Sequence, residues 1–174
     1  MVTASTAVVR VIGIDPGTRH LGWGVLSRTG TKIEHVAHGV IDVDLEGTLA
    51  DRLVEIDTAL ELILREHTPD VGAVEGIFFA KDPLSASKLG HARGVILLRL
   101  ARAGLPIREY APAMVKRSIA GRGAADKKQV AMVITAVLRL PKPPRPDAAD
   151  ALAVALTHLH AASFEAALAQ SSRR

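Results

Sequence analysis

"RVIGIDPGTRHLGWGVL", residues 10–26, decides how the fold begins. The β-branched run from Val8 to Ile14 demands burial, Asp15 closes it, and Pro16-Gly17 turns the chain sharply. "HLGWGVLS" (20–27) and "KIEHVAHGVIDV" (32–43) follow after short Gly-containing turns, which predicts an antiparallel meander of three strands. Farther on, Leu49, Leu53, Ile56, Leu60 and Ile63 recur at helical spacing with Asp and Glu between them, the pattern of an amphipathic helix with an acidic outer face. "DVGAVEGIF" (70–78) and "LPIREY" (105–110) predict two more strands, separated by a helix over 84–103 whose Gly90, Ala92 and Gly94 permit close backbone approach. Further helices are expected over 112–120, 126–138 and 147–163. "LPKPPRP" (140–146) is excluded from helix because its prolines remove donors and push their predecessors away from α.

This succession predicts one α/β domain spanning residues 1–174, a mixed five-stranded sheet of three antiparallel strands plus parallel ones, with helices on both faces. Residues 1–7 and about 164–174 are expected to fray. With 48% hydrophobic residues the chain can build a real core, and its lack of cysteine excludes disulfides and thiolate metal sites. No stretch approaches the roughly 18 apolar residues of a membrane span, and the start lacks a basic segment followed by an apolar one, so a cytoplasmic protein is expected. Net charge is +4 but unevenly spread: −6 over residues 1–87 and +10 over 88–174. Such polarity suits a polyanion, most commonly nucleic acid, whereas 3% aromatic residues leave little for extended base stacking.

Acidic residues fall where an α/β sheet opens onto a ligand. Asp15 ends the first strand, and Glu75 lies in another apolar strand, where an ionised carboxylate needs a partner. Asp147 and Asp150 head the last helix, three residues apart and therefore about 60° apart around its axis. Singly, each has an ordinary explanation: a turn former, an ion-pair partner, an N-cap. Together they form a hard, oxygen-only donor set that favours Mg²⁺ or Mn²⁺, and two such ions about 3.5–4 Å apart could hold a phosphodiester and activate water.

Four segments, "GIDPGTRHLGWGVL", "AVEGIFFAKDPLSASKLGHARGV", "YAPAMVKRSIAGRGAADKKQV" and "PDAADALAVALTH", closely resemble the RuvC family of bacterial Holliday junction resolvases, in the family's order and over about residues 9–163. The resemblance implies a ribonuclease H-like fold, a homodimer, and an endonuclease of recombination and repair that nicks opposing strands of four-way junction DNA. It carries the family's catalytic, Mg²⁺-binding carboxylates onto Asp15, Glu75, Asp147 and Asp150. Lys116 and Lys127 match basic positions near the scissile phosphate, and Phe78 matches an aromatic that stacks at the opened junction centre, with Phe79 assigned to the core. Lys81, Lys88, Arg93, Arg122 and Lys128 are assigned more loosely to DNA backbone contacts. A branch-migration motor is a further partner implied by the resemblance alone. Gly76 departs from the family, where a bulkier polar residue such as glutamine is expected after the glutamate.

Two other readings fit parts of the pattern. "GIDPGT" is similar to the phosphate-binding turn of actin-like ATPases, but these enclose nucleotide between two lobes, and 174 residues supply one. A junction-binding protein with purely structural carboxylates is the other. The 84–103 helix is the expected dimer contact. His20, His91 and His158 could each approach a site, although a lone histidine is more often structural; His158 and His160, two apart, should point to different faces.

Overall fold

The structure, a computed structural model, describes residues 7–76, 83–121 and 126–171, with side chains in the last helix described as far as Ala162. The expected meander is present as β1 (Val8–Asp15), β2 (His20–Thr29) and β3 (Lys32–Asp42), all antiparallel neighbours. β4 (Val71–Glu75) and β5 (Ile107–Tyr110) extend the sheet in parallel on the other side of β1, giving the order β3-β2-β1-β4-β5. Five helices complete it: α1 (Leu49–His67), α2 (Pro83–Arg102), α3 (Pro112–Ala120), α4 (Lys127–Val137) and α5 (Pro146–Ser171). Among the described residues, no helix is long and apolar enough to cross a membrane.

Strand alternation divides the core in two. Ile12 and Ile14 of β1 and Val74 of β4 pack with Ile56 and Leu60 of α1 and Ile96 and Leu100 of α2. Val11 and Ala73 face the other way, onto Val115 of α3, Val130 and Ile134 of α4, and Leu152, Leu156 and Leu159 of α5. Asp15 and Glu75 continue this second set by period two, so the sheet aims both toward α5.

How close α5 comes is decided by glycine on the strands and alanine on the helix. A Cβ built on Gly13 would lie 2.1 Å from the carbonyl oxygen of Ala151, and one on Gly22 would lie 1.9 Å from that of Asp147. Apart from the partly exposed Asp150, residues 148–159 are buried, which explains why the segment reads as apolar nearly all round. The helix also runs past the expected end at 163 to Ser171, because "FEAALAQ" is made largely of good helix formers and contains no breaker. The tail expected to fray from about 164 is therefore helical in its backbone to Ser171.

Candidate active site

Parallel pairing of β1 with β4 in the register Ile14 to Val74 brings the next residue of each strand, Asp15 and Glu75, side by side at the carboxyl end of the sheet. Their side chains share a hydrogen bond. α5 starts over Gly22, the partner of Asp15 on β2, so its first turns bring Asp147 and Asp150 to the same end. Asp150 lies close enough to both strand acids to disfavour their charge. α4 adds the counter-charge: a capping box between Asp126 and Gln129 fixes its start, and Lys127, its first residue, places Nζ 2.8 Å from Oδ2 of Asp150. Asp147 feels the charges of Lys127 and Arg145. Glu75, Asp150, Lys116 and Lys127 border a cavity of about 170 Å³, whose apolar wall is Pro112, Val115 and Val130.

Burial raises the Asp15 carboxyl to about 8, reinforced by the charges of Glu75 and then Asp150, while Lys127 opposes the rise. Burial also raises Glu75, but its hydrogen bond with Asp15 acts in the opposite sense. Within the pair, protonation is therefore favoured on Asp15, whose carboxyl then donates to Glu75. Lys127 is held above its ordinary value, chiefly by its hydrogen bond to Asp150.

Among the described residues, no three acidic or imidazole side chains close into a finished ligand set. Instead the crowding of negative charge is already offset in two ways: burial favours the protonated form of Asp15 beside Glu75, and the Lys127 ammonium stands against Asp150. An oxygen-only cluster that disfavours its own ionisation and draws in an ammonium is chemically suited to a hard divalent cation.

Other expected residues lie elsewhere or serve differently. Lys88 is exposed on α2 and Lys128 is exposed on α4, both open to a polyanion. Arg93, expected on the DNA side, is only 13% exposed and is turned inward, with Nη1 donating to the Glu75 carbonyl oxygen at 2.8 Å and Nη2 paired with Glu109. Expectations for Phe78, Phe79, Lys81 and Arg122 concern positions outside the described residues. His20 bonds Asp42 through Nδ1 at 2.7 Å, His158 is buried against the Tyr110 hydroxyl at 2.7 Å, and His91 is exposed on α2. As the spacing predicts, His158 is buried while His160 is exposed.

Sequence reasoning missed a clamp on the start of α5. Arg145, whose carbonyl accepts the first helical bond from Ala149, grips the carboxylate of Asp42 with both terminal nitrogens. The only hint was an arginine placed just before Pro146 and Asp147.

A mixed sheet in this order, with acids at the carboxyl ends of its two central parallel strands and at the head of the helix laid across them, defines a ribonuclease H-like protein. The profile described as "Crossover junction endodeoxyribonuclease RuvC" matches residues 11–158. A relative of that name from Sorangium cellulosum is 71% identical over 163 residues, covering 94% of this chain and 91% of the relative, and one from Azorhizobium caulinodans is 46% identical, covering 90% and 92%. The solved structure "T. thermophilus RuvC in complex with Holliday junction substrate" superimposes with a TM-score of 0.84 at 36% identity, covering 90% of this chain and 96% of that one. The yeast mitochondrial Holliday junction resolvase Ydc2, at 14% identity and a TM-score of 0.61, shares the fold. The chain belongs to the RuvC family of crossover junction endodeoxyribonucleases.

Proposed function

We propose that this protein resolves four-way DNA junctions in recombination and repair, hydrolysing one phosphodiester in each of two opposing strands with the help of divalent cations. The observation that carries the reading is the convergence of Asp15, Glu75 and Asp150 on one side of the sheet, with Lys127 against Asp150 and Lys116 across the cavity. Asp15, Glu75, Asp147 and Asp150 would hold Mg²⁺, two ions per site, with Mn²⁺ as a substitute. Such ions supply an activated water and neutralise charge on the phosphoryl and leaving oxygens.

The protein's own groups do the rest. Loss of the proton from Asp15 converts the strand pair into two ionised ligands. Release of the Lys127 ammonium from Asp150 frees it to meet a phosphate, where with Lys116 it stabilises negative charge developing in the transition state. Pro112, Val115 and Val130 keep one wall apolar, which strengthens these charge interactions by excluding water. Lys88 and Lys128, and by resemblance Lys81 and Arg122, hold the DNA backbone, while Phe78 stacks at the opened centre.

Two copies acting together would cut symmetrically, because a two-fold dimer matches the approximate two-fold symmetry of a junction. α2 offers the contact: Gly90 and Gly94 have open space where a Cβ would stand, and Leu98 nearby is 50% exposed. The site lies in a cytoplasmic protein on this reading, and docking of a branch-migration motor rests on the resemblance alone.

Nicking of a synthetic mobile junction, with and without Mg²⁺ and with linear duplex as control, tests the proposal. Paired nicks in opposing strands of the junction, dependent on the cation and absent from duplex, are expected. Junction binding without cleavage under any divalent cation would instead identify a non-catalytic junction binder.

A further inference from the structure

We infer that Arg93 is a positioning residue for Glu75 rather than a contact for DNA. The inference rests on the reading of Glu75 as a catalytic carboxylate. Glu75 is the last residue of β4, the point at which a strand loses its ladder and its backbone gains freedom. Two bonds hold it there. The amide of Gly76 donates to the Tyr110 carbonyl at 2.8 Å, and the Glu75 carbonyl accepts from Nη1 of Arg93, also at 2.8 Å. The same guanidinium reaches Glu109 with Nη2, and Glu109 stands opposite Val74 in the β4–β5 register. One planar fork therefore ties α2 to the backbone of β4 and to a side chain of β5, immediately beside the acid.

Arginine suits this task where lysine does not. Its donors leave a rigid plane in fixed directions, so two acceptors on different strands fix each other's separation, whereas an ammonium on a flexible stem fixes neither. At 13% exposure, with both terminal nitrogens engaged, the group has little left to offer a phosphate. A carboxylate that must be placed to within a fraction of an ångström gains from such support, since small displacements of reacting groups cost large factors in rate.

Arg93→Lys, Glu109→Gln and Glu75→Gln are compared with the parent protein in thermal unfolding, in junction affinity across a salt series without divalent cation, and in single-turnover nicking of saturated junction with Mg²⁺. Arg93→Lys should bind junction within about twofold of the parent and with the same salt slope, yet nick about tenfold or more slowly. Glu109→Gln, which keeps the bond to the Glu75 carbonyl and loosens only its outer anchor, should slow nicking by a few-fold at unchanged affinity. The neutral variant Arg93→Gln, measured alongside, supplies the opposite outcome: a salt slope lowered by about one with nicking at saturation unchanged would make Arg93 a phosphate contact and overturn the inference. So would unaltered nicking in both Arg93→Lys and Glu109→Gln. If Arg93→Lys fails to fold, Glu109→Gln decides by the same criteria. Glu75→Gln separates the two levels: normal nicking by that variant would refute the catalytic role of Glu75 itself, whereas its inactivity beside a fully active Arg93→Lys would refute only the positioning role.

Discussion

Asp15 ends a buried strand, and the desolvation of its carboxylate is relieved in the folded chain by a proton shared with Glu75. Unfolding returns Asp15 to its ordinary value of 3.8, so between there and about 8 the folded protein binds more protons than the unfolded one. This pair therefore makes stability fall as pH rises through that window, and a bound divalent cation should lessen the fall. His35, His38 and His160, held below their ordinary value by burial, act in the opposite sense in the lower part of the window, so the check is the difference in melting temperature between the parent and Asp15→Asn from pH 5 to 9, with and without Mg²⁺; a difference that does not fall as pH rises, with no effect of Mg²⁺, would count against the paired site. Asp42 does not confuse the measurement. Arg145 and His20 hold its carboxyl below the ordinary range, so its contribution is lost only in stronger acid. For chemistry, Asp150→Asn should lower nicking by about 100-fold or more while junction affinity stays equal or rises, because a cation ligand and a negative charge beside the phosphates are removed together. Equal loss of binding and cutting would argue against the assignment. At this scale the place of each acid, at a strand end or the head of a helix, was legible from the local pattern, while their grouping as one set came from the family resemblance. The proton on Asp15, the Lys127–Asp150 pair and the inward turn of Arg93 were not legible, since each depends on residues brought together from distant parts of the chain.

Elements carry the site through the fit of α5 on the sheet. Gly13 is where that fit is tightest in the middle of β1: a methyl group there would strike the helix backbone at Ala151 and Ala155 rather than a side chain that could move aside. Gly13→Ala should therefore cost about 3 kcal/mol or more in denaturant unfolding, the upper range for overpacking. A change under 0.5 kcal/mol, the size of an ordinary surface substitution, would mean α5 is free to lift away. Glycine recurrence in "IGIDPG" and "LGWGV" was visible in the sequence, but its reason was not until the alanines of α5 faced it. Element order and most boundaries were readable from hydrophobic periodicity. α5 runs past the expected end at 163 because the residues that follow favour helix and hold no breaker, a matter of propensity that the apolar periodicity does not report. The clamp of Arg145 on Asp42, reaching from the start of α5 to the end of β3, has no local signature beyond the arginine that precedes Pro146.

Over the whole molecule, the charge imbalance between the two halves of the chain has a structural counterpart: the acidic share includes the outer face of α1, while Lys116 of α3 and Lys127 of α4 border the cavity and Lys128 is exposed on α4. Lys128→Ala should reduce the slope of log affinity against log salt by about one and leave nicking at saturation unchanged. Sedimentation equilibrium should find a dimer at working concentration, and a monomer that still nicks both strands in concert would remove α2 as the contact. The central claim is that acids from β1, β4 and α5 act as one cation site. Titration of Mn²⁺ into the parent protein and into Asp15→Asn, Glu75→Gln and Asp150→Asn, with nicking measured in parallel, tests it most directly. The account predicts that each substitution weakens Mn²⁺ binding and abolishes nicking together while junction affinity persists; a variant that binds Mn²⁺ as tightly as the parent yet cannot cut would contradict it.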